Sequence, residues 1–156
     1  MSEWSYFPRA PLAPHLRRRK PIGHQRVGAE ELGPLLAGIT QSHLSADILL
    51  TVASQQLFWL TDGRIDCHSW IGVRLSNTGA YLIPEAQHVI HVHRRDRRFN
   101  EMLAADGAGL CATFFLIQSL QNREVPWSKD RRRIWKSLYS FLDQHPESEA
   151  IRNVLD

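Results

Sequence analysis

The sequence predicts an α+β fold: a small antiparallel β-meander packed against several α-helices in a single domain. Three observations carry this. Strand-like runs at residues 69–75, 80–83 and 89–93 lie close together, joined by connections too short for parallel crossovers. Helical spacing of apolar residues dominates the last third of the chain. A length of 156 residues, 43% hydrophobic and 22% charged, suits one soluble globular domain.

Residues 1–26 form an arm rather than part of that domain, which occupies 27–156. The arm holds Pro8, Pro11, Pro14 and Pro21 among arginines and has no apolar period, so it reads as extended or disordered. Its aromatic opening, Trp4, Tyr6 and Phe7, offers a docking element for the body or for a partner. An arm that buries little area contributes little stability, so removing 1–26 is expected to shift the melting temperature only slightly.

A short helix is predicted across 29–37, weakened by Gly33 and Pro34. Ser45 then N-caps a helix running to about Leu60, with Ile48, Leu49, Val52 and Leu57 on one side. Asp62-Gly63 supports a rival reading, because this dipeptide favours hairpins and would make 57–60 an entering strand. In the meander, Trp70, Val73 and Leu75 are available for burial, and 76–79 supplies a turn in which Asn77 and Gly79 tolerate positive φ. Pro84 stops the return strand.

The helical third follows. Leu103, Leu110, Phe114 and Ile117 recur at helical spacing, with Cys111 and Phe115 widening the stripe. Ser128 caps the next helix, which buries Ile134, Trp135, Leu138, Tyr139 and Leu142. His145-Pro146 ends it, and Pro146 suits the start of a last helix carrying Ala150, Ile151, Val154 and Leu155 inward.

Several function classes fall away. The longest nearly apolar run, 110–117, is far short of the ~20 residues of a membrane span, and the first thirty residues lack a secretory pattern. Cys67 and Cys111 make neither a disulfide framework nor a CxxC pair, so a reducing cytoplasm fits best. The phosphate-loop, zinc-protease and nucleophile-elbow signatures are absent, and no catalytic residue or cofactor is expected. Residues 1–27 carry a balance of +5 while the rest sums to −2, which excludes a surface imitating the polyanionic charge of DNA.

What chemistry remains is sparse. His91 and His93 point to one face of a strand and are the best metal candidates, against a plain polar sheet surface. Two histidines fix neither ligand count nor second shell, and no metal is expected. Arg94, Arg95, Arg97 and Arg98, and the cluster from Lys129 to Arg133, could hold phosphates or form solvated faces. Residues 103–109 open a greasy helix with small side chains. Each glycine there costs about 1 kcal/mol relative to alanine, which points to a close packing contact. Asp106 complements the positive end of that helix.

Three segments carry a resemblance. Residues 75–84, LSNTGAYLIP, resemble the LSNGGFYMAP segment of the plasmid-borne antirestriction proteins of the ArdB/KlcA type. Residues 103–110 resemble that family's MSADAAGI helix start. Residues 145–151, with the closing Leu155-Asp156, resemble its HPEAAAI…ID ending. The order matches, Trp70 falls where the family has an aromatic strand, and the resemblance covers roughly residues 45–156. Thr78 replaces a turn glycine, Gly107 an alanine, and Ala104 a serine that would cap the helix at a gain of roughly 1 kcal/mol.

The resemblance implies a non-enzymatic anti-defence protein of a mobile element, acting against host type I restriction of incoming DNA. A CRISPR effector is the alternative target, and a DNA-binding accessory protein the alternative class. Ser76, Asn77, Tyr81 and Asp106 are the expected partner-binding residues. Arg17, Arg18, Arg19 and Lys20 are expected to meet nucleic acid or an acidic partner. Trp70, Gly79, Pro84, Gly109 and Pro146 are expected to be structural.

Overall fold

A computed structural model of the protein describes residues 3–8, 20–121 and 129–156. Among these the elements run β1 (His24–Arg26), α1 (Leu32–Thr40), α2 (Ala46–Leu60), β2 (Trp70–Leu75), β3 (Ala80–Pro84), β4 (Val89–His93), β5 (Asn100–Ala104), α3 (Ala105–Gln121), α4 (Lys129–Leu142) and α5 (Ser148–Leu155). A single 3-10 turn, Ala29–Glu31, precedes α1. The α+β class and the single domain hold.

The strands divide into two antiparallel sheets, β1-β2-β3 and β4-β5. β2 and β3 form the expected hairpin, with Trp70 opposite Pro84 and Arg74 opposite Ala80. β4 does not extend it. The outer side of β3 is occupied by α3, whose Thr113 hydroxyl accepts the Leu82 N–H at 3.0 Å and donates to the Gly109 carbonyl at 2.8 Å. β4 turns instead to β5, pairing Ile90 with Leu103 and His93 with Asn100.

Two further expectations are corrected here. Leu103 is a strand residue, not a helical one. It lies fully buried opposite Ile90, and α3 starts only at Ala105. Residues 24–26, placed in the flexible arm by the sequence, are strand β1, with His24 opposite Leu75 and Arg26 opposite Val73. Ser5 bridges to His24 through two backbone hydrogen bonds of 2.9 and 2.8 Å, and Phe7 stacks on the His24 ring at 4.4 Å. The hydrogen-bonding capacity of β2's open edge recruits this segment despite its polar composition.

Helix α3 is buried on nearly every side, from Gly107 through Phe114 and again at Leu116, Ile117 and Leu120. A helix apolar all round belongs at the centre of a fold. Gly109 explains how it gets there. A Cβ at this position would lie 2.1 Å from the Leu82 carbonyl oxygen and 2.8 Å from Ile83 Cα, so only glycine lets the α3 and β3 backbones touch.

Helix ends follow local chemistry. Ser45 Oγ accepts the Ile48 N–H at 3.4 Å and starts α2. Asp62-Gly63 ends that helix instead of turning a hairpin. Asp62 takes φ of 54°, its N–H donates to the Trp59 carbonyl, and the Gly63 N–H donates to the Phe58 carbonyl. This is a Schellman cap. The predicted cap Ser128 lies outside the described residues. On α4, Phe141 is fully buried while Trp135 and Tyr139 are only half-buried. Arg131, buried on the inner side of α4, donates to the Thr40 carbonyl at 2.9 Å, a cation at the negative end of α1.

Candidate functional site

Three distant segments meet at one carboxylate. Asp106, in the first turn of α3, accepts the Tyr81 phenol at Oδ2 (2.8 Å) and the His145 ring at Oδ1 (2.6 Å). β3 delivers Tyr81 from inside the core, and the turn after α4 delivers His145. The Glu147 N–H donates to His145 Nδ1 at 3.0 Å, which puts the ring proton on Nε2, facing Asp106. Burial, then the charge and hydrogen bond of Asp106, holds the Tyr81 phenol well above its ordinary pKa, so it stays a donor.

Aromatic rings close the junction. Phe7 lies 4.8 Å from His145 edge-on and 5.6 Å from Phe141, and Tyr81 lies 5.4 Å from Phe141. The Asp106 side chain keeps 28% exposure, against 3% for His145. Burial lowers the pKa of His24, which the Asp106 charge partly opposes and the Arg26 charge reinforces. Beside the junction, both Glu147 carboxylate oxygens accept the Ala104 N–H, at 3.2 and 3.0 Å. This caps the strand-to-helix junction, where Ala104 has no side-chain oxygen of its own to do so. Gly107 makes room for it, since a Cβ there would meet Glu147 Oε1 at 2.5 Å.

The other predicted site residues are elsewhere and mostly engaged. Ser76 is exposed, but its hydroxyl accepts the Gly23 N–H at 2.8 Å. The Asn77 amide accepts the Gly79 N–H at 3.1 Å and donates to the Ser137 carbonyl at 2.9 Å, tying the hairpin to α4. The positive φ of the turn falls on neither Asn77 nor Gly79. Thr78 takes it, at 72°. With Thr78 N–H donating to Leu75 and Leu75 N–H to Gly79, this is a three-residue loop whose last position favours glycine. Gly79 is needed for space, its absent Cβ being hemmed in by Asn77, Leu75 and Ser137 at 3.1–3.2 Å.

Trp70 is buried and its indole donates to Ser54 Oγ at 2.9 Å. Pro84 closes β3, and Pro146 lies exposed in the turn before α5. His91 and His93 stack at 5.2 Å, but His91 is engaged by Arg64 at 3.0 Å and by Asn100. Among the described residues no group of three or more His, Cys, Asp or Glu side chains converges for a metal. Arg94 belongs to the end of α2: it donates to the Trp59 carbonyl at 2.9 Å, pairs with Asp96 at 2.8 Å and covers the Trp59 ring.

Arg17, Arg18 and Arg19 lie outside the described residues. Lys20 lines an open groove of about 990 Å³ whose other wall is the outer face of α4. Gln144 fixes that approach, accepting the Ile22 N–H at 2.8 Å and donating to the Lys20 carbonyl at 3.1 Å. His145, Glu147 and Ser137 were not foreseen as site residues. The one sequence signal for the first two was their place in the HPE segment. Phe7 was marked by the aromatic opening of the arm as a docking element, whereas His24 gave no signal, because it enters through pairing at a sheet edge.

The comparisons bear on this arrangement. A protein-family model described as "Antirestriction protein" matches residues 66–156. A comparison with curated proteins gives no match. Among solved structures, one chain comes from work on the KlcA and ArdB proteins, described as showing a novel fold and antirestriction activity against type I DNA restriction systems in vivo but not in vitro. It aligns with a TM-score of 0.74 at 21% identity, over 89% of this chain and 98% of that one. That likeness establishes a shared fold. The family match runs from just before β2 to the last residue, takes in Tyr81, Asp106 and His145 together, and spans more than half of the sequence, so the chain belongs to the antirestriction protein family.

Proposed function

We propose that the protein shields incoming DNA of a mobile element from host type I restriction, by binding the restriction complex in the cytoplasm rather than by catalysis. One observation carries the reading: the family match covers the segment whose three motifs fold onto a single Tyr81–Asp106–His145 junction. The junction is a clamp. His145 resembles a general base beside an acid, but its one lone pair is taken by the Glu147 N–H, leaving nothing to accept a substrate proton. Ser76 at the hairpin tip and the exposed edge of Asp106 are the reachable parts of the expected contact surface. Asn77 and Tyr81 hold that surface in place.

Phage plating tests this. The full chain is expressed in a type I restricting host and in an otherwise identical non-restricting host, and unmodified phage is plated on both. Plating should rise in the first host relative to empty vector and stay equal in the second. Unchanged plating in the restricting host would overturn the reading.

A further inference from the structure

The groove between Lys20 and α4 has a composition that the junction does not explain. Among the described residues its lining contains Lys20, Lys129, Arg132, Arg133 and Lys136 against one carboxylate, Asp130. The four α4 cations fall at i, i+3, i+4 and i+7, so one face of the helix presents them together. Ser137 and Ser140 continue that face, giving a polar stripe about 16 Å long at 1.5 Å per residue. The positive charge is local, because the body beyond residue 27 is slightly negative in sum.

We infer that this groove binds the sugar–phosphate backbone of a DNA duplex without reading its sequence. Three features select this ligand. Among the described residues the lining has one apolar side chain, Ile22, whereas protein–protein contacts centre on apolar and aromatic anchors and exclude charge from their core. Among the described residues no aromatic ring lines it, so the described walls offer no stacking platform of the kind single strands use. Polar, strongly positive surfaces are the mark of duplex contacts, and cations clustered on one face suit the dense charge of a duplex, one per about 1.7 Å of axis. The preference for DNA over duplex RNA rests on the proposed function.

The pinning of Lys20 makes this a built groove rather than a chance cluster. Gln144 holds the 20–22 backbone against the end of α4 from both sides, and Asn77 ties the hairpin to Ser137 in the middle of the same face. Arg131 is turned inward to α1 and takes no part.

Fluorescence anisotropy with a labelled 25-base-pair duplex of arbitrary sequence tests the inference on the full chain. Five contacts predict log affinity falling with log salt at a slope of about −4.5, hence about 500-fold weaker binding between 50 and 200 mM salt. Replacing Lys129→Gln, Arg132→Gln, Arg133→Gln and Lys136→Gln together should flatten the slope to about −1, leaving about a 3–4-fold change over that range. The pair Arg95→Gln and Arg98→Gln, on the exposed loop beyond β4, should leave binding as it was, and thermal melts confirm that both variants fold. Absence of duplex binding at 50 mM salt, an unaltered slope in the fourfold variant, or equal loss in the Arg95/Arg98 control would each overturn the inference. So would poly-glutamate competing as well as unlabelled duplex, which would mark an acidic protein surface as the occupant. Duplex RNA binding tenfold tighter than DNA would overturn the choice of DNA. Because this is read in vitro and restriction by plating, either result can fail alone.

Discussion

Asp106 accepts two buried donors at once, and that decides what its loss should do. Asp106→Ala leaves the Tyr81 hydroxyl and the His145 Nε2–H without acceptors, at about 1–3 kcal/mol for each orphaned group. Tyr81→Phe removes only a donor and should cost about 1 kcal/mol. Urea titrations of the two variants should therefore differ by at least ~1 kcal/mol, and equal losses would mean the junction is not a single network. Thr78 gives the opposite sign. A β-branched residue at φ of 72° carries roughly 1–2 kcal/mol of strain, while glycine costs about 0.5–1 kcal/mol in unfolded-state entropy. Thr78→Gly should raise the melting temperature by about 1–4 °C. His24 provides a pH handle. Burial lowers its folded pKa below the ordinary 6.5, so the unfolded chain takes up the proton first and stability falls as pH drops through that value. His24→Gln should show a shallower loss between pH 7.5 and 5.5 than the parent chain.

At the scale of elements, the contact that matters most is α3 against β3. Gly109→Ala would drive a methyl into the Leu82 carbonyl, 2.1 Å away, and backbone cannot step aside as a side chain can. Overpacking typically costs 1–3 kcal/mol and occasionally more, and this case should sit at or above the top of that range. Gly107→Ala meets only the flexible Glu147 carboxylate, so about 1 kcal/mol is expected, with loss of the cap on Ala104. Circular dichroism melts of the pair should separate them by about 5 °C or more. The same contact explains the division of the strands: with α3 on its outer side, β3 has no open edge for β4.

For the whole molecule, the N-terminal segment is tied to the body. Deleting residues 1–8 withdraws the Phe7 ring from His24, Phe141 and His145, and about 1–2 kcal/mol, or 2–8 °C, should follow. Deleting 1–26 also removes β1 and uncovers the β2 edge. A fall of about ten degrees or more is then expected, the reverse of what composition alone suggested. A melt unchanged by the longer deletion would show that the docked segment carries no stability. Among the described residues no helix is long and apolar enough to cross a membrane.

The sequence by itself determined the fold class, the β2–β3 hairpin, the Ser45 cap of α2, the buried face of α5 and the need for a glycine where α3 meets a backbone. These are properties a residue imposes on its own turn or face, through cap chemistry, side-chain period or the absence of a Cβ. It also placed Tyr81 and Asp106 among the residues to watch, but not their joining with His145. Only tertiary structure decided that junction, the choice of β5 as the partner of β4, and the capture of residues 24–26 by the sheet. Asp62-Gly63 shows why local reading stops there. Positive φ suits a hairpin and a helix cap equally, and the choice fell to the cap because α2 could bury Leu57 and Leu60 completely. Thr78 shows the same limit from the other side: Asn77 was the better residue for positive φ, but its amide was committed to Ser137 on a helix sixty residues away. Pairing and burial between distant segments depend on which edges and faces remain open once the others have packed, and that is a property of the folded whole.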